Sequence, residues 1–173
     1  MPTAGSTEYK LFLAYLNRAV YEWSEAYDWI ELRKTFYPTV SGLTQATTAL
    51  PQDFRKLANY PKHWGTGVTG GEDFPHIVPE ETSLYQTTDK YVYLLGDISD
   101  GYNLIWNPGT LSSGASIAIQ YFSTPTSLAS PAQVSIVPDS QFLVDRVIGY
   151  ILEARSDSRF QEIETKARER LLN

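Results

Sequence analysis

The chain has 173 residues, of which 42% are hydrophobic and 20% charged, and its formal net charge is −6. A chain of this length and composition can bury the core of a single domain, which excludes a disordered protein. The lack of cysteine excludes disulfide frameworks, zinc ribbons, iron–sulfur clusters and thiol nucleophiles. The acidic balance disfavours a basic face that wraps nucleic acid.

The N-terminal block, residues 7–36, has the period of an amphipathic helix. Its apolar residues recur at spacings of three and four, and Ser6 or Thr7 can cap the start. They are Tyr9, Phe12, Leu16, Ala19, Val20, Trp23, Tyr27 and Ile30. We expect a helix from about Thr7 to Tyr21, broken near Ser24 and followed by a short helix through residues 29–34, or one long kinked helix.

The start of the chain also bears on its location. It lacks basic residues, and the apolar run 11–16 is cut by Asn17 and Arg18. We therefore expect neither a signal peptide nor a membrane span, and a protein kept in a reducing interior without membrane contact.

The central region, residues 37–138, is rich in turn residues and short β-prone runs. It holds nine of the ten prolines and nine of the eleven glycines. The runs predict mostly antiparallel strands at Thr35–Ser41, Phe54–Tyr60, Tyr91–Leu95, Tyr102–Trp106 and Ser116–Phe122. Asp100 and Gly101 are placed to connect a hairpin, and we expect Gly65–Gly71 to form a loop.

The C-terminal block, residues 139–173, predicts two further helices. Asp139 or Ser140 can cap the first, and Ser158 with Gln161 has the capping-box spacing for the second. The first has a full apolar face, from Phe142 to Ala154. The second has a narrow stripe on a strongly charged helix, so we expect it to need a partner.

Negative charge is concentrated in the centre of the chain. Residues 72–139 contain eight acids and one base, Lys90, a balance of −7, while the segments before and after carry +1 and 0. One interpretation is that these acids keep the protein soluble. The other is a surface that must repel something anionic.

No group of residues predicts catalysis or a cofactor. Glu72, Asp73 and His76 are close in sequence but lack a fourth metal ligand. The glycine loop has no following lysine for phosphate, and residues 109–114 do not form a nucleophile elbow. Adjacent acids such as Glu80 and Glu81 are common on surfaces, so an unrecognised hydrolase stays a remote alternative. We expect a protein that is not an enzyme and uses no metal or other cofactor.

Aromatic residues leave a second function open. Four tryptophans and twelve tyrosines on a partly β scaffold could bind sugar rings. Most of them fit a core or a subunit interface, which leaves Tyr60 and Trp64 as exposed candidates. The alternative function is therefore a carbohydrate- or receptor-binding module of a virion.

Several short segments occur in a characteristic order. They are Asn17, Ala19, Glu22 and Trp23 on the first helix, Asp28-Trp29, Leu32-Arg33, the LPQDFRKL segment 50–57, Leu104-Ile105-Trp106-Asn107-Pro108, the strand Ile117–Phe122 with Pro125 after it, Val137-Pro138-Asp139, and Ile151-Leu152-Glu153-Ala154. In this order the chain resembles the head-to-tail adaptors of tailed bacteriophages, in the style of the tail tubular (tail tubular protein A) or gatekeeper adaptors. The resemblance extends from about residue 10 to the end.

The resemblance implies a fold and a place of action. The fold is α+β, with a helical bundle formed by N-terminal and C-terminal helices and a central antiparallel β-sandwich-like insertion, within one adaptor domain, residues 1–173. The implied function is structural: a homo-oligomeric, twelvefold ring in the virion neck, assembled in the host cytoplasm. Its partners would be the portal protein, a tail or neck protein below, and double-stranded DNA that passes without tight binding.

The resemblance and the charge pattern together suggest two sets of site residues. The C-terminal tail, residues 159–173, would contact the portal through Phe160, Ile163, Lys166, Ala167, Arg168, Arg170 and Leu171. The acids Asp89, Asp97 and Asp100 are candidates for the wall of the DNA channel, because they lack balancing lysines.

Overall fold

A computed structural model describes residues 5–39, 46–64, 72–86, 88–97, 99–107, 116–130 and 133–172. The chain forms two compact units. The helical unit combines Met1–Leu32 with Thr124–Asn173, and the β unit is Arg33–Ser123. The predicted loop Gly65–Gly71 lies outside the described residues.

The helical unit contains the helices α1 (Thr7–Ala26), α2 (Ser140–Ala154) and α3 (Phe160–Leu172). The Ser6 hydroxyl caps α1 by accepting from the Tyr9 amide at 3.1 Å. The Asp139 carboxylate caps α2 by accepting from the amides of the second and third helical residues. Both caps satisfy amides that have no partner inside the helix, and they decide between the candidates that the sequence left open.

The predicted break near Ser24 is wrong. Helix α1 continues to Ala26, and the Ser24 hydroxyl donates to the Tyr21 carbonyl at 2.7 Å. A serine that bonds back to its own helix can be buried without ending it. The predicted helix 29–34 is only a 3₁₀ turn, Ile30–Leu32, because Arg33 and Lys34 pair as a strand.

The described residues of the β unit form eight strands. They are β1 (Arg33–Phe36), β2 (Ala46–Ala49), β3 (Phe54–Leu57), β4 (Lys62–Trp64), β5 (Glu72–Asp73), β6 (Tyr91–Asp97), β7 (Gly101–Asn107) and β8 (Ser116–Ser123). A 3₁₀ turn, Pro79–Leu84, lies between β5 and β6. The sequence predicted five of the strands with approximate bounds and missed β2, β4 and β5.

These strands form two antiparallel sheets. In the first, called sheet 1, β8 pairs with β1, β3 and β4, and β5 pairs with β4. In the second, called sheet 2, β7 lies between β2 and β6. The β6–β7 hairpin turns near Asp100 and Gly101, as the sequence predicted, with Asp97 opposite Gly101.

Both sheets contribute to one hydrophobic core. Val92, Leu104 and Trp106 project from sheet 2, and Ile117, Ile119 and Tyr121 from sheet 1. Aromatic rings cross between the sheets, with the Phe54 and Tyr102 centroids 5.3 Å apart. The predicted α+β fold, with terminal helices and a central antiparallel β insertion, is confirmed.

The helical unit has its own packing. Ala19, Val20 and Trp23 of α1 are buried, as are six residues of α2. The Asn17 side chain donates to the Leu128 carbonyl at 2.9 Å and accepts from its amide at 2.6 Å. This two-way hydrogen bond attaches the segment that enters the unit after β8 to α1.

Candidate functional site

The junction between α2 and α3 is a compact C-cap. The Asp157 amide donates to the Leu152 carbonyl and the Ser156 amide to the Glu153 carbonyl, the pair of bonds of a Schellman motif. Ser156 has φ 54°, in the left-handed region. The Asp157 carboxylate accepts from the Arg159 amide at 3.0 Å, in the turn that precedes α3. This junction positions α3 beside α2.

The apolar residues predicted to meet a portal pack within the helical unit. Ala167 is fully buried, and Phe160, Ile163 and Leu171 are half-buried. Helix α3 packs closely on α2 here, since a Cβ added at Gly149 would lie 3.8 Å from the Ile163 Cγ2, an ordinary van der Waals distance. The partner that the narrow stripe required is therefore α2.

The charged residues of the same set behave differently. The Lys166 and Arg168 side chains are 53% and 74% exposed, and each pairs with a glutamate one turn earlier. Arg170 instead bonds Asp145 of α2 at 2.9 Å. The exposed face of α3 thus consists of paired charges, and portal contact by this helix stays a prediction.

One arginine joins all three helices. The Arg146 guanidinium of α2 donates to the Glu22 carboxylate of α1 and lies 3.6 Å from that of Glu164 on α3. It also stacks 4.8 Å from the Tyr150 ring centroid, while Arg18 lies 4.3 Å from the same ring. Burial, with the neighbouring Glu22 carboxylate, raises the pKa of Tyr150 to about 12. No local sequence pattern predicts this cluster, because Glu22 and Arg146 are 124 residues apart.

The three acids predicted to line a channel are exposed and lie at the two ends of β6. Asp97 accepts from the amides of Ser99 and Asp100 in the hairpin turn, at 2.7 and 2.9 Å. The Asp100 bond, followed by that from Ser99, lowers the pKa of Asp97. At the other end, Asp89 accepts from the Gln86 amide at 2.7 Å. Two of the acids are therefore also turn-forming residues.

The outward face of sheet 2 carries a row of tyrosines between these acids. Tyr85 and Tyr91 have ring centroids 5.4 Å apart, and Tyr91 and Tyr93 6.5 Å. Leu95 continues the row and is 45% exposed. Asp89, Tyr91, Tyr93, Leu95 and Asp97 alternate in the sequence with period two, a signal that could have identified this face.

The outward face of sheet 1 carries bases. Arg33 and Lys56 both lie opposite Phe122 of β8, and Lys62 lies opposite Ala118. Arg33 and Lys56 are exposed, and the Lys56 ammonium is 5.6 Å from the Phe122 ring centroid. No local sequence pattern predicts this face, because its bases come from three separate strands.

The other aromatic and histidine candidates are dispersed. Tyr60 is 57% exposed, as predicted, and His76 is exposed beside its bridge to Val92. The side chains of Trp64 and His63 lie outside the described part of the structure. Trp23 and Trp29 stack in the helical unit with centroids 4.7 Å apart, beside a cavity of about 340 Å³ that Phe142 and Leu171 also line.

Within the described residues, no three His, Asp or Glu side chains come together as a metal site. Among the helices of those residues, none combines the length and the hydropathy needed to cross a membrane. Neither the known protein-family models nor the curated proteins match this sequence. Function must therefore be argued from the chain itself.

Proposed function

We propose that this chain is a structural head-to-tail adaptor of a tailed bacteriophage, not an enzyme. In this proposal its copies form a ring, twelvefold by resemblance, beneath the portal in the virion neck, after assembly in the host cytoplasm. The ring joins the capsid to a tail or neck protein and lets DNA pass.

The observation that carries the proposal is the layout of the chain. Helices from its two ends form one unit, and a two-sheet β unit is inserted between them. The resemblance implies the same layout. The LPQDFRKL segment supports it further, because Phe54 lies in the β core and Asp53 accepts from Tyr121 at 3.0 Å and pairs with Lys34 at 2.5 Å.

The net charge of −6 supports passage of DNA without adhesion. A surface of like charge repels the phosphate backbone, most strongly at low salt. We propose Asp89, Asp97 and Asp100 as channel residues on this basis. Because Asp97 and Asp89 also accept amide bonds, Asp100→Lys is the cleanest reversal, and it should make DNA retention by the assembled ring sensitive to salt.

The direct test is electron microscopy of the protein mixed with rings of the portal from the same phage. The expected result is an added ring of density on one face of the portal, coaxial with its channel. Portal rings that stay bare at high protein concentration would refute the proposed function.

The portal contact on α3 needs a variant that keeps the helix. Lys166→Gln with Arg168→Gln removes two exposed charges and preserves helix propensity. We expect weaker portal binding than for the control Lys10→Gln with Arg155→Gln, which removes two exposed charges elsewhere in the helical unit. Equal binding of the two variants would place the portal contact on another surface.

A carbohydrate- or receptor-binding virion module is the second candidate. The row Tyr85, Tyr91 and Tyr93, flanked by Asp89, favours it, because flat aromatic faces beside a carboxylate suit sugar rings. Titration with host-surface glycans, followed by tyrosine fluorescence, distinguishes the two functions. Saturable binding that Tyr93→Ala abolishes would favour this module over the adaptor.

A further inference from the structure

The two sheets of the β unit carry opposite charges. By strand register, three bases, Arg33, Lys56 and Lys62, and one acid, Asp73, lie on the outward face of sheet 1, a net charge of +2. On sheet 2, Asp89 and Asp97 continue the outward row of Tyr91, Tyr93 and Leu95, and Asp100 follows in the hairpin turn, three acids with a charge of −3. Since the sheets share one core, their outward faces point away from each other. One β unit thus presents a positive face and a negative face on opposite sides.

We propose that the outward face of sheet 2 docks on the outward face of sheet 1 of a second copy of this chain. This inference rests on the proposed function and deepens it, because a ring needs one head-to-tail contact between neighbours. A contact between two different faces of the same chain is heterologous, and repetition of it closes into a ring or extends into a filament.

The negative face has the composition of an interface centre with a charged rim. The half-buried Tyr91 and Tyr93 and the exposed Leu95 form its middle, and Asp89 and Asp97 lie beyond the two ends of this row. Tyrosine is enriched at protein interfaces, where its ring packs and its hydroxyl stays hydrogen-bonded. The acids lie about 25 Å apart along the chain direction, at about 3.3 Å per residue.

The positive face offers matching groups. Arg33 and Lys56 flank the Phe122 ring from both neighbouring strands, and Lys62 is 40% exposed further along β8. Arg33 and Lys56 are exposed, and the Arg33 guanidinium also donates to the Gln120 side chain. The acid in register on this face, Asp73, pairs with Lys62 at 3.2 Å.

The area sets the strength of the contact. Three short strands expose about 300 Å² on one face, well below the about 800 Å² per partner of a standard interface. A single pair should therefore be weak, and association should be strengthened mainly by closing a ring in which every copy uses both faces. Complementary charges would then orient the copies and make assembly dependent on salt.

Two charge-reversed variants test the proposal by sedimentation velocity. The first, Arg33→Glu with Lys56→Glu, makes both faces negative. The second, Thr47→Lys with Asp100→Lys, adds three positive charges, which cancels the −3 of the sheet 2 face, and leaves Asp97 in place. Thr47 is exposed and faces outward opposite Ile105. Lys10→Glu with Glu153→Lys, two exposed sites on the helical unit, is the matched control. Circular dichroism verifies the fold of each variant.

The wild type should self-associate at high protein concentration. Its dissociation constant should be at least about tenfold larger in about 1 M salt than in about 0.1 M salt, because the screening length falls from about 10 to about 3 Å. The control should match it. Each reversed variant alone should stay monomeric, and an equimolar mixture of the two should associate again. Restored association excludes a folding defect as the reason for the loss.

A wild type that is monomeric throughout, or reversed variants that associate like the control, would overturn the proposal. These outcomes are separate from those of the portal experiment. If the reversed variants still form a ring on the portal, the proposed interface is refuted and the adaptor function stands. If the protein forms filaments but does not bind the portal, the adaptor function is refuted and the interface stands. The contact would also occupy Asp97 and Asp100, so loss of association in Asp100→Lys without DNA retention favours the interface over the channel.

Discussion

Ser156 holds the only left-handed non-glycine backbone among the described residues, with φ 54°. Its Cβ is strained in that region, and Ser156 occupies the position of a Schellman motif where glycine is most common. Ser156→Gly should raise the free energy of unfolding by about 0.5 to 1 kcal/mol, after the larger entropy of glycine in the unfolded chain is subtracted. Urea denaturation measures this. Ser158→Gly, in the same exposed loop, should give no gain, and an equal gain there would contradict the strain argument.

Asp157 gives the loop a pH dependence. The Arg159 side chain, with the Arg159 amide, lowers the pKa of Asp157 to about 2. A carboxyl whose pKa is lower in the folded state stabilises the fold above its unfolded value of about 3.9, and that contribution disappears as the pH falls toward 2. Asp157→Asn should therefore be less stable than the wild type at pH 7, and the difference should shrink progressively below pH 4. Thermal melts across this range measure it, and a constant difference would refute the assignment.

At the scale of elements, Arg146 determines how the helices pack. Its side chain is only 13% exposed, and its removal leaves Glu22 without its main partner. Arg146→Met should cost about 2 to 3 kcal/mol, less than for a fully buried pair because Glu22 is 31% exposed. Adding Glu22→Gln should recover part of the loss, which a double-mutant cycle in urea measures.

Arg18 supplies the control for that cycle. It pairs with the same glutamate at 3.3 Å, but its side chain is 58% exposed. Arg18→Met should therefore cost less than about 1 kcal/mol. Comparable losses for the two arginines would show that burial does not determine the energy of the cluster.

The β6–β7 hairpin depends on two glycines for different reasons. Both glycines have positive φ, 102° at Gly96 and 83° at Gly101. A Cβ added at Gly96 would lie 2.1 Å from the Gly101 carbonyl oxygen, whereas a Cβ added at Gly101 would have no atom within 4 Å. Gly96→Ala should thus cost about 2 kcal/mol or more, and Gly101→Ala about 1 kcal/mol from backbone strain alone. Chemical denaturation compares them, and equal costs would contradict the close approach.

The elements also show what a sequence can predict. The long helices and β6, β7 and β8 were predicted because their periodicity is local. The three missed strands have two to four residues, and each exists only through its pairing with β4, β7 or β8. The predicted break at Ser24 was wrong because the Ser24 hydroxyl donates to the Tyr21 carbonyl, which satisfies this polar side chain within the helix. Candidate sites follow the same rule: Asp97 was proposed from local charge, whereas the Arg146 cluster and the positive face required the fold.

At the scale of the whole molecule, the two units have separate cores. The β unit packs around Trp106, Ile119 and Phe74, and the helical unit around Trp23, Phe142 and Ala167. Each sheet of the β unit has one dominant sign of charge, whereas the helical unit balances its charges in ion pairs such as those of Arg146 and Arg170. The β unit is therefore the better candidate for contacts that salt controls.

Deletion of residues 159–173 tests this separation. Helix α2 has a full apolar face of its own, but α3 buries Ala167 and pairs Arg170 with Asp145, a residue of α2 that is itself buried. Removing α3 exposes the α2 face and leaves Asp145 without its cation, so we expect the amides of α2 to lose protection from hydrogen exchange.

In the same truncated protein the amides of β7 and β8 should keep their protection, because these strands pair with other strands of the β unit: β7 with β2 and β6, and β8 with β1, β3 and β4. Hydrogen exchange read by mass spectrometry resolves the two regions in one experiment. Loss of protection in β7 and β8 as well would mean that the chain unfolds as one cooperative body. Full protection of α2 would mean that α3 adds little to the helical core, and truncation would then become a valid test of portal attachment.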